Sequence, residues 1–426
     1  MNKTIAIVGL GYVGLPLALL TDEKDYEVIG IDLDQDKVDK INAGQSPIAD
    51  KDIEEAIKKT GIKAFSDMSK ISAADIVIVC VPTPIKDNYM PDLGPIKSAC
   101  QDIAKHIKKK SLIIIESTIN PGVCEEVIIP LVEKASKMTC GQDFFLAHCP
   151  ERINPGDTKW SVRNIPRVLG SYDETGLKMA LEFYNSIVDA EIKPMASLKE
   201  AEAVKVVENS FRDINIAFVN ELAMSFSKLD INVENVINGA ATKPFAFMAH
   251  YPGCGVGGHC IPVDPYYLIE YAKGYGFEHE FLSVARNINN QMPKFTVGLL
   301  VKALKDSGIE TKSSNVAVLG IAYKPGVDDD RESPAKAIIK ELESLDMAFS
   351  TYDPHIPSKS SVKSLEKALD KSDAVIIATG HKEFVDIEPE FFSQKGVKVL
   401  IDGRNIYSAK KAEFEKLGVI YKGIGV

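Results

Sequence analysis

The sequence lacks long hydrophobic runs, a block of basic residues and any pair of cysteines at CxxC spacing. Its strongly apolar runs are short, such as 76–82 and 112–115, whereas a helix that crosses a bilayer needs ~20 apolar residues. The first residues show no cleavable signal pattern, so a cytoplasmic location is expected. The net charge of −10 argues against a broad surface for nucleic acid or for an anionic membrane.

The seven cysteines form no recognisable zinc or redox pair. They stand at positions 80, 100, 124, 140, 149, 254 and 260. In a cytoplasmic protein of this size most thiols are buried or idle, and we expect this of about five or six of the seven. The sequence therefore offers no support for a metal site, and Cys260 alone stands apart because of the residues around it.

The composition is that of a globular protein with several domains. The chain has 426 residues, of which 45% are apolar and 26% charged, and this disfavours long disorder, collagen and coiled coil. At about 150 residues per domain, the length suggests about three domains. In the N-terminal third, short apolar runs alternate with helical stretches and predict a parallel sheet covered on both faces. The predicted strands are 4–8, 27–32, 75–80 and 112–115, with later candidates at 144–147 and 167–169.

The middle of the chain has the pattern of helices. Residues 199–230 contain no proline or glycine, and their apolar positions recur at helical spacing, which predicts one long helix. A second helical run is expected over 265–304, after a glycine-rich stretch at 252–258. Long helices between two α/β units often form a dimer interface, and a spacer within one chain fits the sequence nearly as well.

Strand and helix alternation returns after a polar linker at 312–315. Strands at 316–319, 348–352, 374–378 and 397–401 are predicted to form a second, smaller parallel sheet. The fold class is therefore α/β, with two parallel-sheet domains joined by a central long-helix domain. The expected domain boundaries are 1–198, 199–311 and 312–426.

A glycine-rich turn directly follows the first predicted strand. Gly9, Gly11 and Gly14 have the GxGxxG spacing: the first permits a tight turn, the second lets backbone approach a pyrophosphate, and the third lets helix and strand pack closely. Asp32 ends the second strand, 23 residues after Gly9. Its carboxylate can accept hydrogen bonds from both ribose hydroxyls and would repel a 2′-phosphate, so NAD is favoured over NADP. Lys37 keeps NADP open as an alternative, since it too can lie against the adenosine ribose.

Two further strand ends support this dinucleotide site, because ligands of doubly wound sheets bind at the carboxyl ends of strands. Pro82 and Thr83 follow the third predicted strand, and Ser117 and Thr118 follow the fourth. Their hydroxyls are expected near the nicotinamide half, although a plain hydroxyl-stabilised turn accounts equally well for each one alone. The expected cofactor-binding residues are Gly9, Gly11, Tyr12, Val13, Gly14, Asp32, Lys37, Pro82, Thr83 and Thr118.

The stretch 251–265 is the most informative in the chain. Its glycines at 253, 255, 257 and 258 predict a loop whose backbone can wrap an anion closely. Cys260 leaves this loop, and Asp264 lies about one turn further on if the segment is helical. A thiol beside oriented N–H groups is a usable thiolate, so Cys260 is the candidate nucleophile. Cys254 is read as incidental, and His259 either tunes the thiol or is a structural histidine.

An NAD enzyme with a thiolate suggests a particular oxidation. A thiolate adds to an aldehyde to give a thiohemiacetal, a second hydride transfer gives a thioester, and water cleaves the thioester with help from a carboxylate. The pairing therefore predicts a four-electron oxidation of a primary alcohol with two NAD.

Other polar residues are candidates for the same chemistry. Lys205 and Asn209 are expected on the same helix face, where a lysine can stabilise an alkoxide and an asparagine can position a water. The alternative is a polar helix face that is only exposed to solvent. Glu151 follows a predicted strand and is a candidate hydrolytic base. In the C-terminal sheet, Lys324 and Arg404 lie at strand ends and suit phosphate or uracil. This second sheet lacks GxGxxG, so it should bind something other than a second NAD.

These residues resemble the UDP-glucose/GDP-mannose dehydrogenase family of nucleotide-sugar 6-dehydrogenases over essentially the whole chain. The resemblance rests on VGLGYVGLP, VPTP, STxxPG, the helix with Lys205 and Asn209, GxGxGGHCxxxDP, the YKP and RESPA elements, and DGRN. It implies two Rossmann-like domains joined by a long helix, with dimerisation through the middle.

The resemblance also implies a role for each matching position. Cys260 would be the nucleophile, Lys205 and Asn209 would stabilise oxyanions and orient water, and Asp264 and Thr118 would assist with water and proton transfer. Glu151 would act in thioester hydrolysis, and Arg331 would lie near the cofactor. The expected substrate-binding residues are Glu151, Lys205, Asn209, Arg212, Tyr251, Gly255, Gly257, Lys324 and Arg404.

The sequence departs from UDP-glucose members of the family at Pro155, where they have a second glutamate, and at Val263, where they have a lysine. The stretches 208–215 and 243–248 look more like the N-acetylhexosamine branch, closest to UDP-N-acetylglucosamine 6-dehydrogenases, with Arg212 a plausible partner of the acetamido group. The resemblance therefore implies a UDP-sugar substrate, here UDP-N-acetylglucosamine, whose product is a precursor of surface polysaccharide. The alternatives are UDP-N-acetylmannosamine or UDP-glucose 6-dehydrogenase, a β-hydroxyacid dehydrogenase and a non-catalytic nucleotide-sugar sensor.

Overall fold

The computed structural model describes residues 3–48, 50–84, 86, 90–153 and 159–426. The chain divides into two compact units. The first comprises Met1–Glu208 and Tyr266–Phe277, and the second comprises Asn209–Pro265 and Glu278–Val426. The three-domain division expected from the sequence stays a prediction. None of the helices in the described part of the chain is both long enough and apolar enough to span a membrane.

The first unit contains an eight-stranded sheet in the order β3-β2-β1-β4-β5-β6-β7-β8. Its strands are β1 (Thr4–Val8), β2 (Glu27–Ile31), β3 (Lys63–Phe65), β4 (Ile76–Val79), β5 (Leu112–Ile115), β6 (Phe145–His148), β7 (Arg167–Ser171) and β8 (Ile192–Pro194). All six predicted strands are confirmed. Strands β3 and β8 were not predicted, because each has only three residues and carries a lysine.

The first sheet is parallel as predicted, apart from the pair β6 and β7, which is antiparallel. Two adjacent parallel strands need a long crossover connection, which is usually a helix. The connection from β6 to β7 contains no helix within its described residues, 149–153 and 159–166. Strand β7 can therefore return in the opposite direction.

Helices on both faces of this sheet account for its apolar strands. The helices are α1 (Gly14–Glu23), α2 (Gln35–Asn42), α3 (Lys51–Ala56), α4 (Gly94–Ala104), α5 (Ile129–Ser136) and α6 (Glu174–Ile187). Alternate residues of a strand point to opposite faces, so Ile5 and Ile7 enter one hydrophobic core while Ala6 and Val8 enter another.

The long helix α7 (Leu198–Leu229) confirms the prediction of one helix over 199–230. Its first turns are attached to the loop after β5 by Glu202, whose side chain is fully buried. This carboxylate accepts hydrogen bonds from the backbone N–H groups of Gly122 at 2.5 Å and Cys124 at 2.8 Å. The position of α7 within the first unit is thus coupled to the loop that also carries Thr118.

The second unit contains a five-stranded parallel sheet in the order β10-β9-β11-β12-β13. Its strands are β9 (Asn315–Leu319), β10 (Ala348–Tyr352), β11 (Ala374–Ile377), β12 (Val399–Asp402) and β13 (Ile420–Gly423). Four of these were predicted, and β13 was missed. The remaining helices are α8 (Val233–Ala241), α9 (Asp264–Gly274), α10 (Glu280–Asp306), α11 (Pro334–Ser344), α12 (Leu365–Leu369), α13 (Lys382–Val385), α14 (Pro389–Gln394) and α15 (Lys411–Lys416).

The single helical run expected over 265–304 is two helices, α9 and α10. Gly276 has φ +82°, a left-handed conformation that commonly ends a helix. From Tyr266 onward, α9 belongs to the first unit, whereas α10 belongs to the second.

The turn from β1 into α1 has no room for a side chain at two of its glycines. A Cβ on Gly14 would lie 1.9 Å from the carbonyl oxygen of Gly9. A Cβ on Gly9 would lie 2.7 Å from the carbonyl oxygen of Cys80, and Gly9 has φ +96°. A Cβ on Gly11 would meet no atom within 4 Å. Packing therefore requires glycine at the first and third motif positions but not at the second.

We expect Gly14→Ala to lower the free energy of unfolding of the first unit by about 3 kcal/mol or more, because the backbone of the turn must move to admit the methyl group. Gly11→Ala is the matched control, since its methyl group enters open space and should cost less than about 0.5 kcal/mol. Urea denaturation of both variants checks this, and equal midpoints would contradict the packing argument.

Candidate active site

The glycine turn of the first unit has the geometry of a dinucleotide site. The open space above Gly11 is a place where a pyrophosphate can approach the backbone. Val13 is the N-cap of α1, and no side chain makes a capping hydrogen bond there. The Leu15 N–H donates to the carbonyl oxygen of Gly11 at 3.1 Å, so phosphate oxygens are expected against the N–H groups that precede Leu15. Tyr12, beside them, is exposed.

Asp32 lies directly after β2, as the motif requires. Its carboxylate accepts hydrogen bonds from the N–H groups of Leu10 at 2.9 Å and Asp34 at 3.0 Å, so the protein itself holds it next to the glycine turn. The Lys37 ammonium lies 3.5 Å from Asp32 Oδ2. A carboxylate placed in this way fits the ribose hydroxyls of NAD, and its charge disfavours a 2′-phosphate.

The hydroxyl of Thr83 joins two strand ends. It donates a hydrogen bond to the carbonyl oxygen of Thr118 at 2.6 Å, while the Tyr267 hydroxyl of α9 donates to the carbonyl oxygen of Thr83. Pro82 is exposed at the same edge, and Thr118 is half-buried. The loops after β4 and β5 are thereby held together at the carboxyl edge of the sheet, where a nicotinamide is expected.

Glu151 lies at the same edge, after β6, and is 7% exposed. Its Oε1 accepts hydrogen bonds from the backbone N–H groups of Arg152 at 2.5 Å and Ile153. Its Oε2 is 3.9 Å from Nη2 of the buried Arg167. Two backbone N–H groups and one cation therefore hold the Glu151 carboxyl in place. Its part in hydrolysis stays a prediction.

Sequence reasoning missed the partners of Arg167. Nη1 of Arg167 is 3.0 Å from Oε1 of Glu116, and the Tyr184 hydroxyl donates to the same oxygen at 2.5 Å. Burial is the main cause that raises the pKa of Glu116 to about 7, and Arg167 opposes the rise. The one sequence signal was a charged residue placed directly after a buried strand, at position 116.

Lys205 is half-buried on α7, one turn after Glu202 and one turn before Asn209. Since α7 is helical throughout this stretch, the prediction that Lys205 and Asn209 share a face is confirmed. Their roles toward an alkoxide or a water stay predictions.

In the second unit, Asn209 and Asp264 form a direct pair. Nδ2 of Asn209 donates to Oδ2 of Asp264 at 2.5 Å, and the Asp264 carboxyl is almost fully buried. The backbone N–H of Asp264 donates to the carbonyl oxygen of Cys260 at 2.8 Å. The expected spacing of one turn between Cys260 and Asp264 is therefore confirmed. Val263 is buried in the same turn, whereas Pro155 lies outside the described residues.

Two cations, Lys324 and Arg331, interact electrostatically with the sulfur of Cys260. The hydrogen bond to Asp329 is the main cause that raises the pKa of Arg331, and attraction to the Cys260 sulfur adds to it. Burial is the main cause that lowers the pKa of Lys324, and repulsion from Arg212 lowers it further, while attraction to Cys260 opposes both. Positive charge of this kind stabilises a thiolate. The family resemblance placed Arg331 near the cofactor, which stays a prediction, and the charge of Arg331 also acts on Cys260.

Three of the other six thiols also lie near a cation, Cys80 and Cys149 near Arg167 and Cys254 near Arg404, but burial outweighs the effect of that cation. Cys100, Cys124, Cys140, Cys149 and Cys254 are buried, and Cys80 is half-buried. Burial is the main cause that raises the pKa of each of these six thiols. The expectation that most of the cysteines are buried is confirmed.

The glycines of the loop before Cys260 face protein atoms. A Cβ on Gly257 would lie 2.8 Å from Cβ of Tyr323, and one on Gly255 would lie 3.0 Å from Cβ of Pro334. Packing therefore accounts for the missing side chains without an anion. Binding of substrate by Gly255 and Gly257 stays a prediction.

Arg404 holds this loop in place through two hydrogen bonds to backbone carbonyl oxygens. Its Nε donates to the carbonyl oxygen of Ala378 at 2.8 Å, and its Nη1 donates to that of Gly255 at 3.3 Å. Its buried Nη2 has no hydrogen-bond partner among the described residues, and contact of Arg404 with a substrate stays a prediction. Tyr251 is exposed, and its hydroxyl donates to Asn238 at 2.8 Å.

The second sheet also has an aspartate after its second strand, Asp353 after β10, but its surroundings differ from those of Asp32. Asp353 is fully buried, and its Oδ2 accepts hydrogen bonds from the N–H groups of Ile321 at 2.6 Å and Ala322 at 2.8 Å. His381 Nε2 lies 3.1 Å from the same oxygen. This carboxylate has no surface for a ribose, which supports the prediction that the second sheet does not bind another NAD.

One group of potential metal ligands occurs in the described residues, formed by His355, His381 and Glu383. The N–H of Gly326 donates to Nδ1 of His381 at 3.1 Å, and Nε2 of His381 faces Asp353. Both ring nitrogens of His381 are thus used within the protein, so we do not assign a metal there.

Comparison with protein families gives matches over most of the chain. The NAD binding domain of the UDP-glucose/GDP-mannose dehydrogenase family matches residues 3–188, the central domain matches 199–291, and the UDP binding domain matches 317–409.

Individual relatives extend over nearly the full length. UDP-N-acetyl-D-mannosamine dehydrogenase of Pyrococcus horikoshii is 36% identical over 426 residues, 99% of each chain. UDP-N-acetyl-D-glucosamine 6-dehydrogenase of Salmonella typhi is 34% identical over 96% of this chain and 97% of its own. The solved structure of the Pyrococcus horikoshii enzyme matches with a TM-score of 0.93 over 99% of each chain, at 36% identity. The chain therefore belongs to the UDP-glucose/GDP-mannose dehydrogenase family and is an NAD-dependent nucleotide-sugar dehydrogenase.

Proposed function

We propose that this chain oxidises the C6 alcohol of a UDP-N-acetylhexosamine, with UDP-N-acetyl-D-glucosamine as the first candidate, to the uronic acid for surface polysaccharide. The observation that carries the proposal is the setting of Cys260. This thiol lies one turn before Asp264, which is bonded to Asn209, and its charge is felt by two cations. A thiol with this setting is suited to hold a sugar aldehyde covalently until it becomes an acid.

In the proposed mechanism the alcohol loses its proton to a water held by Asp264, Lys205 stabilises the resulting alkoxide, and departure of a hydride from C6 leaves the aldehyde. When bound, NAD supplies the hydride acceptor for both oxidations. The Cys260 thiolate adds to the aldehyde carbon, and Lys205 and Asn209 stabilise the oxyanion of the resulting thiohemiacetal. Loss of the second hydride leaves a thioester. Water, deprotonated by Glu151, then displaces the sulfur, so that the carboxylate is released and the thiolate is restored.

Family membership decides against two other interpretations of the sequence, a β-hydroxyacid dehydrogenase and a non-catalytic sensor. The choice among nucleotide sugars rests on finer features. Relatives named for the mannosamine and for the glucosamine sugar have nearly equal identity to this chain. UDP-N-acetyl-D-mannosamine and UDP-glucose are therefore the alternatives that a substrate panel has to separate.

Arg212 is the proposed partner of the acetamido group. It is exposed on α7 and close enough to Lys324 that their charges repel. Its five N–H donors suit an amide carbonyl oxygen, and Lys324 is the proposed contact of the same substrate.

We expect Cys260→Ala to lower net oxidation on the order of 10³-fold or more, the scale for loss of a covalent nucleophile, while UDP-sugar binding persists. Wild-type protein should form two NADH per sugar. Cys254→Ala is the matched control, because this buried thiol lies in the hydrophobic core of the second unit and should leave turnover intact. NADH absorbance, calorimetry and intact mass spectrometry check these outcomes. One NADH per sugar, or full activity in Cys260→Ala, would contradict the mechanism.

Arg212→Ala should reduce the preference for N-acetylated over plain UDP-hexose by about tenfold, the cost of one charge-assisted hydrogen bond. Arg212→Lys keeps the positive charge but loses the paired N–H donors of the guanidinium. Its preference for N-acetylated UDP-hexose should lie between those of the wild type and Arg212→Ala. The measurement is kcat/KM for UDP-N-acetylglucosamine, UDP-N-acetylmannosamine and UDP-glucose. An unchanged ratio in Arg212→Ala would remove the acetamido assignment.

We also propose that the chain forms a homodimer through its central helices. In the second unit, α7 and α10 leave large apolar side chains exposed, among them Phe211, Phe218, Phe281 and Val284. Apolar side chains grouped in this way are typical of a protein interface.

Phe218→Glu should therefore convert a dimer into a monomer, because the buried interface would contain an unpaired charge. Val385→Glu, at an exposed apolar residue of α13, is the control and should leave the assembly unchanged. Light scattering after gel filtration measures the mass. A wild-type monomer would end this proposal.

A further inference from the structure

Two buried carboxyl groups share a single arginine in the first unit. Arg167 is 3.0 Å from Glu116 through Nη1 and 3.9 Å from Glu151 through Nη2. The backbone N–H of Glu151 also donates to the carbonyl oxygen of Glu116 at 3.3 Å. Glu116 directly follows β5, and Glu151 comes three residues after the end of the neighbouring strand β6, so both lie at the carboxyl edge of the sheet.

The charges in this cluster do not balance if both carboxyls are ionised. Glu116 and Arg167 are each 1% exposed, and Glu151 is 7% exposed. Two carboxylates against one guanidinium leave a buried net negative charge, which a low-dielectric interior disfavours. Oε2 of each glutamate has no hydrogen-bond partner among the described residues, so either oxygen can accept a proton without losing a hydrogen bond.

The other titratable groups around Glu116 do not supply the missing charge. Tyr184 of α6 donates to Glu116, Cys149 Sγ lies 3.9 Å from Arg167 Nη1, and Cys80 follows β4. Burial is the main cause that raises the pKa of all three groups. They are therefore neutral at physiological pH, and the balance is left to the two glutamates and Arg167.

The environments of the two glutamates differ. Glu151 receives two backbone N–H donors on one oxygen and lies nearer the surface than Glu116. The side chain of Glu116 is fully enclosed, and burial raises its pKa to about 7.

We propose that Glu116 and Arg167 are positioning residues that set the charge of Glu151: the two glutamates share one proton, which resides on Glu116 at neutral pH and leaves Glu151 ionised. The proposal rests on the hydrolytic role of Glu151 in the proposed function. As the pH rises, Glu116 loses the proton, and its carboxylate then competes with that of Glu151 for the Arg167 guanidinium. Glu151 then becomes a stronger base toward water. The thioester on Cys260 is therefore expected to hydrolyse faster through this titration.

The first test is independent of catalysis. Infrared difference spectroscopy between pH 6 and pH 9 should show a protonated buried carboxyl in the wild type that disappears at the higher pH. The band should be absent from Glu116→Gln at both pH values. Tyr184→Phe keeps every charge but removes one donor to the Glu116 carboxylate, so its band should persist to higher pH than in the wild type. A band unchanged in both variants would overturn the proposal, even if Glu116→Gln alone failed to fold.

The second test measures the decay of the sugar thioester on Cys260 by rapid quench and intact mass. Glu116→Gln, which imitates the protonated residue, should match the wild type within about twofold at pH 6 and fall about fivefold below it at pH 8.5, since a weaker base is a poorer catalyst. Equal losses at both pH values would indicate a merely structural role and overturn the proposal. If the wild type forms no thioester at all, the proposed function fails, whereas the infrared result still decides whether the two glutamates share a proton.

Discussion

The sharp turn after the first strand of each sheet is the constraint on which both halves of the molecule depend. In the first unit the N–H of Gly9 donates to the carbonyl oxygen of Ile31 at 2.7 Å, and in the second the N–H of Gly320 donates to that of Tyr352 at 2.8 Å. Both glycines have φ near +95°, and a Cβ on either would overlap the next strand end. The same backbone arrangement is therefore built twice, and side chains around it decide what each copy can bind.

The acid after the second strand marks the main difference between the copies. Asp32 accepts one N–H of its own turn through Oδ2 and remains partly open. Asp353 is fully enclosed, with two N–H groups of its turn and His381 on one oxygen. In the second unit the corresponding carboxylate, that of Asp353, therefore supports the turn itself and is not open to a ligand. Recognition of the substrate in that unit is therefore proposed to depend on loop side chains such as Lys324 and Arg404.

Much of this organisation was predictable because it is encoded locally. The apolar runs at β1 and β5, the uninterrupted helical pattern of α7 and the spacing from Gly9 to Asp32 each lie within a short stretch of sequence. What failed to be predicted depends on distant partners or on short segments. Strand β13 has a lysine and a glycine among its four residues, whereas the four residues of β5 are all apolar. The direction of β7 follows from a connection without a helix in its described residues. The partnership of Glu116 with Arg167 joins residues 51 positions apart, and nothing near either residue indicates the other.

Because six of the seven thiols have a pKa raised by burial, we expect electrophiles to react with one cysteine of this chain. Six sulfurs are held by their surroundings in the unreactive protonated form, whereas Cys260 is placed among cations. An alkylating drug, a peroxide or a stray aldehyde that meets the folded protein therefore finds a single reactive sulfur. Under the proposed mechanism, modification of Cys260 would stop turnover, so a covalent inhibitor needs selectivity among proteins but not among the cysteines of this one.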